Sequence, residues 1–338
     1  MTAPRSFPLS AAALVLAGAL CVAGQLPAAG QDDLGDVMLT ESFPAPAGGT
    51  VTVGIADGNV ELLTGTGDRI DVTIHLKSRR MDRARERYEK MDFRARAESD
   101  GVVITSDEHM QWFSGWHDTG GFQVTVVVRL PEQYEVDVET SDGDVHLERL
   151  IGKASLQTSD GDVQVDWLEG PLDVRTSDGD VRLLAVVGAV AVETSDGDID
   201  IEAIVADEID LRTSDGAVRA SRIEGGEIVV HTSDGNIDLG EASGSVRAET
   251  SDGDIVIHIA RLEDTHIETD SGDIEITADP QLAAEVELSG DSVRLARAVE
   301  LDGRVSRRHA SGTLNGGGPR LAAYAGDGEV SLQLRDAR

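Results

Sequence analysis

From Tyr134 to about Ala278 the apolar and polar residues alternate with a period of two, and one four-residue signal interrupts the alternation at regular intervals. Val136, Val138 and Thr140 precede the first interruption; Val145 and Leu147 follow it, and Ala154, Leu156 and Thr158 approach the next. The same phase returns in Val163, Val165, Leu172 and Val174, in Val181, Leu183, Val190 and Val192, and in Ile255 and Ile257. A period of two predicts strands, so each repeat is two short strands and two corners. The interruption is Thr-Ser-Asp-Gly, and its last two residues are Asp142 and Gly143, Asp160 and Gly161, Asp178 and Gly179, Asp196 and Gly197, Asp215 and Gly216, Asp234 and Gly235, and Asp252 and Gly253. The aspartates step by 18, 18, 18, 19, 19 and 18 residues, and a degenerate copy, Thr269-Asp270-Ser271-Gly272, follows.

Two architectures use such a repeat. In a meander Asp-Gly is a tight hairpin turn; in a β-solenoid it is a corner, with glycine supplying positive φ and aspartate bonding nearby backbone. A coil that stacks on its own copy every ~4.8 Å keeps its length nearly constant and places extra residues at one corner. The 19-residue steps put their slack around Ala203–Glu208 and Glu224–Glu227, away from Ser-Asp-Gly, which favours the solenoid. The expected fold is all-β: a β-solenoid of about 18-residue, two-strand rungs with a short N-terminal helical insertion and capping strands. Inward threonines at each corner would form a ladder whose hydroxyls bond corner backbone.

Val124–Pro131, then Tyr134–Val138 and the first Thr-Ser-Asp-Gly-Asp, together with the repeats that follow, resemble the bacterial putative adhesin family, a β-strand-repeat domain of unknown function. The resemblance runs from about Gly48 to near the end of the chain. It implies the β-repeat fold and supplies no catalytic or binding residues.

Outside the repeats the pattern changes. Residues 1–30 carry Arg5, the apolar run Ala11–Val22 and small residues ending at Gly30, the layout of a cleaved signal peptide, which points to a periplasmic or secreted protein. Residues 31–47 read as a linker, and 48–133 as an N-terminal β region in which Val51, Val53, Ile55, Val60 and Leu62 form an early rung. Within it, Met81, Ala84, Tyr88 and Met91 fall at helical spacing, predicting a helical insertion over 78–93 with Ser78 as N-cap. Residues 79–96 hold eight basic and four acidic residues; this segment reads either as a cap on the open end of the solenoid or as a contact for an anionic surface. The repeats occupy 134–298, and 299–338 are expected to cap the other end, with Leu321–Ala325 and Val330–Leu334 as a closing strand pair.

The formal charge of −34 excludes a phosphate backbone as partner, so no nucleic acid is expected. The single cysteine, Cys21, leaves no disulfide framework. The aromatic loop 107–121 concentrates Trp112, Phe113 and Trp116 in a chain with eleven aromatic residues, and reads as a partner-binding anchor or as a lid over the core. His109 and His117 frame it without a metal-ligand spacing. Calcium suits oxygen-rich corners, but the second acidic position, Asp144, Asp162, Asp180 and Asp198, is interrupted by Ala217 and Asn236, so neither metal nor cofactor is expected. No nucleophile elbow, zincin motif or phosphate loop is present. The expected function is a non-enzymatic envelope scaffold or adhesin-like surface for an envelope protein or polysaccharide. The alternative is a carbohydrate-active enzyme using paired carboxylates on a β-helix.

Overall fold

Alternating inward side chains and a short beat fix the architecture seen in the computed structural model, which describes residues 34–65, 67–107 and 121–335. The signal segment 1–30 lies outside the described residues. The chain enters through β1 (Asp36–Pro44), β2 (Thr50–Gly54), β3 (Asn59–Gly65) and β4 (Arg69–Lys77). Helix α1 (Met81–Met91) follows, then β5 (Arg94–Ala97), β6 (Gly101–Thr105) and β7 (Gln123–Pro131). The repeats are β8 (Glu135–Glu139), β9 (Val145–Ile151), β10 (Ala154–Gln157), β11 (Val163–Glu169), β12 (Leu172–Arg175), β13 (Val181–Val187) and β14 (Val190–Glu193). Four long strands that bend through both faces come next: β15 (Ile199–Arg212), β16 (Val218–His231), β17 (Ile237–Thr250) and β18 (Ile255–Thr269). The C-terminal part holds β19 (Ile274–Ala278), β20 (Ala284–Ser289), β21 (Ser292–Leu295), β22 (Leu301–Val305), β23 (His309–Leu314), β24 (Arg320–Ala325) and β25 (Glu329–Leu334).

The repeats form a β-solenoid. β8, β10, β12 and β14 stack parallel in one ladder and β9, β11, β13 and the first half of β15 in a second, each residue beside its equivalent one repeat away: Leu156 pairs with Val174, Val165 with Leu183. One rung buries Leu172, Val174, Val181, Leu183 and Val186. The second ladder's register skips Asp166, Leu184 and Glu202, so successive buried residues such as Val165 and Leu168 are three apart there. That bend lets the second strand close around the narrow aliphatic core.

At the Ser-Asp-Gly corner the threonine points inward. Thr176 Oγ1 accepts from Gly179 N (3.2 Å) and donates toward Ser159 O (3.1 Å) and Gly161 O (3.3 Å) of the preceding rung, and the same triangle repeats at Thr158, Thr194, Thr213, Thr232 and Thr250. The expected reason for the glycine is corrected: none of the seven repeat glycines has positive φ. A Cβ on Gly179 would lie 1.8 Å from Gly161 O, so close stacking of backbone on backbone requires glycine there. Positive φ belongs to the opposite corner, at Gly152, Gly170, Gly188 and Gly244, one in each 18-residue rung. The 19-residue rungs turn there through an extra residue, at Ala206-Asp207 and Gly225-Gly226, without it. One added residue thus does the work of a left-handed glycine.

The ends depart from the expected layout. Residues 31–47 contain β1, which pairs antiparallel with β4, so this segment is no linker. The helix spans Met81–Met91; Arg80 occupies the cap position, and its N–H donates to Ser78 Oγ. Ala84 and Met91 are buried, and Tyr88 stacks on Phe93. The rung order, moreover, is not the chain order. The β2/β3 rung sits between β6/β7 and β8/β9. At the other end, β24/β25 sit between β18/β19 and β20/β21, so Leu321–Ala325 and Val330–Leu334 are an inserted rung and not the outermost pair. Antiparallel strands then cover the termini of the ladders: β5 on β6, β4 and β1 on β7, and β23 and β22 on β20. Both ends are locked by chain that has crossed over a neighbouring rung.

Two predictions follow from corner packing and from the locks. Thr176→Val should destabilise by about 1–3 kcal/mol by leaving the Gly179 amide and Gly161 carbonyl without the hydroxyl. Gly179→Ala should cost at least as much, through overpacking of about 1–3 kcal/mol or more; urea melts of both variants check this ranking. Excising the single rung 163–180 should leave one cooperative transition, whereas removing 319–338 should expose ladder edges and produce aggregation on size-exclusion chromatography.

Candidate binding surface

Because the core is filled with aliphatic side chains, the chemistry of this molecule lies on the corner and on the outward rows. The first corner aspartates, Asp142, Asp160, Asp178, Asp196, Asp215, Asp234 and Asp252, are all exposed, while their glycines are buried. Asp57 of the β2–β3 corner continues the column and pairs with Arg87 of α1 at 2.9 Å. Burial raises the Asp142 carboxyl above its ordinary value, and the charges of Asp57 and Asp160 push it further, against Arg87.

The second acidic position has a different task. Asp162 N donates to Asp144 Oδ1 (3.1 Å), Asp180 N to Asp162 Oδ1 (2.9 Å), Asp198 N to Asp180 Oδ1 (2.8 Å) and Ala217 N to Asp198 Oδ1 (2.8 Å). Asn236 Oδ1 accepts from Asp254 N in the same way at 2.8 Å, and Asn59 Oδ1 from Asp144 N at 3.2 Å. An acceptor is all that the position asks of a side chain, which is why asparagine alternates with aspartate. Arg219 adds a second hold on Asp198 at 2.7 Å; although burial works to raise that carboxyl, the Arg219 and Ala217 hydrogen bonds bring it below the usual range.

Three of the outward rows follow a charge pattern. In one row of the second ladder the in-register order is Gln164, Arg182, Asp200, Arg219, Asp238 and Val256. In the first ladder one row runs Arg175, Glu193, Arg212, His231, Glu249 and Glu268, and the row beside it runs Asp173, Ala191, Asp210, Val229 and Arg247. Opposite signs alternate, or a neutral residue separates like ones, as stacking at one rung spacing demands. Glu249 beside Glu268 is the exception in these three rows. Arg149 lies over the Trp167 ring at 4.1 Å and pairs with Glu132 at 2.6 Å, which places this aromatic side chain in a surface contact.

The basic segment 79–96 is largely neutralised in place. Arg85 pairs with Asp36 (2.8 Å), Arg87 with Asp57, Arg94 with Asp92 and Arg96 with Glu98 (3.1 Å). With Met81, Ala84, Tyr88 and Met91 toward the core, the opposite side of α1 carries Asp82, Glu86 and Glu89 among Arg83 and Lys90. Trp112, Phe113 and Trp116, with His109 and His117, lie outside the described residues.

The chain belongs to the Toastrack DUF4097 family, whose model matches residues 51–184 and again 169–333. The fold is therefore that of a family of β-repeat proteins. No curated protein matches the chain. Among solved structures it is similar to a putative adhesin from Bacteroides fragilis NCTC 9343, with 13% identity over 87% of this chain and 96% of the other at a TM-score of 0.32. A putative adhesin from Parabacteroides merdae ATCC 43184 gives 15% identity over 70% and 95% at 0.40. A putative lipid binding protein from Parabacteroides distasonis ATCC 8503 gives 11% over 70% and 96% at 0.34. At these values the likeness carries no functional weight, and membership stands on the family match.

One outward pair titrates in a useful range. His146 Nε2 and Asp166 Oδ2 are 3.0 Å apart, and Gln164 Nε2 donates to Asp166 Oδ1 at 2.7 Å. The hydrogen bond to Asp166 raises His146 above its ordinary 6.5, with burial opposing; burial likewise opposes, and the two hydrogen bonds outweigh it, in holding Asp166 below 3.8. The pair therefore stabilises the fold between the depressed carboxylate value and the raised imidazole value, and its contribution is lost as pH rises through the latter. His146→Gln should lower the melting temperature at about pH 6, and the gap to the parent should close by about pH 9; melting curves across that range check it.

Proposed function

We propose that the chain is an exported, non-enzymatic scaffold of the cell envelope that presents an adhesin-like binding surface. The observation that carries this reading is the division of the molecule into an interior filled by aliphatic side chains and the threonine ladder, and an exterior of ordered rows. A stiff stack of identical rungs holds its surface groups at fixed spacing, which suits repetitive partners such as a polysaccharide or an envelope protein. The exposed aspartates serve as corner and solvating groups, and the carboxylates below them accept backbone amides. Acidic groups recur at every rung without one pair being set apart as acid and base, which weighs against the hydrolase reading. Among the described residues no helix is long and apolar enough to cross a membrane. Trp112, Phe113 and Trp116 are the proposed partner anchors on sequence grounds.

Binding of the purified chain to isolated envelope material, run beside a polysaccharide hydrolysis screen, tests the reading. Saturable binding is expected, lost in Trp112→Ala/Trp116→Ala and kept in Asp178→Asn, with no substrate cleaved. Cleavage abolished by one aspartate substitution would establish the enzyme instead. An Asp178→Asn chain that melts like the parent but no longer binds would overturn the role given to the corner aspartates.

A further inference from the structure

In the three outward rows traced above, the like-charged neighbours sit on β17 and β18. Glu249 and Glu268 are in-register neighbours on parallel strands, and like charges so placed repel. His266 lies two residues before Glu268 on the same strand and face, with its ring tilted against Tyr324 at 5.6 Å between centroids. Its Nε2 is 3.0 Å from Glu268 Oε2 and 3.9 Å from Glu249 Oε1. One ligand atom from each of the three residues lies within 4.8 Å of the other two. Two of the residues are half-buried, so the cluster stands on the sheet face and not on a loop tip.

We propose that Glu249, His266 and Glu268 form a binding site for a first-row divalent metal of the zinc type. One imidazole and two carboxylates are the borderline donor set such ions take, whereas calcium and magnesium prefer oxygen alone. Zinc–nitrogen and zinc–oxygen bonds of about 2.0–2.2 Å set ligand atoms about 3.4 Å apart in a tetrahedron, so closure around an ion moves two glutamate ends by about 1 Å or less. The ion would cancel the repulsion between these two glutamates. Arg247, which pairs with Glu249, is the competitor that the ion must displace. The site is built by stacking: its ligands are 17 and 2 residues apart along the chain and meet only across neighbouring rungs.

The test uses the whole chain. Zinc titration calorimetry in the presence of excess magnesium, with cobalt(II) absorption as a spectroscopic readout, should give one site per chain and a visible band of low-symmetry cobalt. His266→Ala and Glu268→Gln should each weaken zinc at least tenfold and remove the band, while His231→Ala, in the same row one rung away from Glu249, should leave both unchanged. Arg247→Gln should tighten binding several-fold by freeing Glu249. Equal melting temperatures in metal-free buffer establish that each variant folds. Zinc binding that is the same in parent and His266→Ala, or a stoichiometry that follows the general acidity of the surface, would overturn the site. An Arg247→Gln chain with unchanged affinity would remove Glu249 from it.

Discussion

Every residue in the repeats lies about 4.8 Å from its own equivalent in the next rung, and this in-register stacking is the constraint on which the rest depends. A position is acceptable only if it tolerates a copy of itself above and below. Val and Ile satisfy that in the core. At the corner the requirement becomes severe, because Gly161 O occupies the place where a Cβ of Gly179 would be. The threonine hydroxyl meets it by addressing two rungs at once, accepting from its own corner and donating to the one before. On the strand faces the same constraint disfavours like charges side by side, and signs alternate through Arg182, Asp200, Arg219 and Asp238. Charged residues do repeat at the corner: the first aspartates stand exposed to solvent, and at the second acidic position the carboxylate takes a backbone amide from the next rung, so that the repeat itself becomes a bond.

The solenoid, its strand periodicity and the corner holding the slack were legible in the sequence because they are local and recur many times. The need for glycine at position 179 was legible as well, but its cause was not. Positive φ and backbone contact both select glycine, and only the neighbouring rung tells them apart. Gly170, whose positive φ was not foreseen, sits in a less conspicuous context than Ser-Asp-Gly, although its recurrence nine residues after Gly161 was the available signal. Rung order was hidden for a related reason: strands of similar pattern pair equally well on paper, and nothing in Val51–Leu62 or Arg320–Leu334 marks a segment as inserted. β1 was missed because Asp36–Pro44 alternates poorly and is mostly exposed.

The surface chemistry was the least legible part. His266, Glu268 and Glu249 are ordinary outward residues in a linear reading, and they converge only through the pairing of β17 with β18. The basic segment shows the converse. Its charge excess is plain in sequence, yet Asp36 and Asp57, from other strands, neutralise Arg85 and Arg87. Linear charge counts say little where stacking decides which charges meet.

The crossed-over rungs at the two ends have a consequence for how such a molecule can change in length. Closure at each terminus is completed by strands that never touch the middle of the stack: β2 to β7 at one end and β19 to β25 at the other. The rungs between them can be gained or lost without disturbing either lock. The twelve rungs among the described residues stack over about 50 Å, and the family model matches twice in overlapping windows along them. Reach is thus a variable that evolution can tune in increments of one rung, with the end fittings held constant.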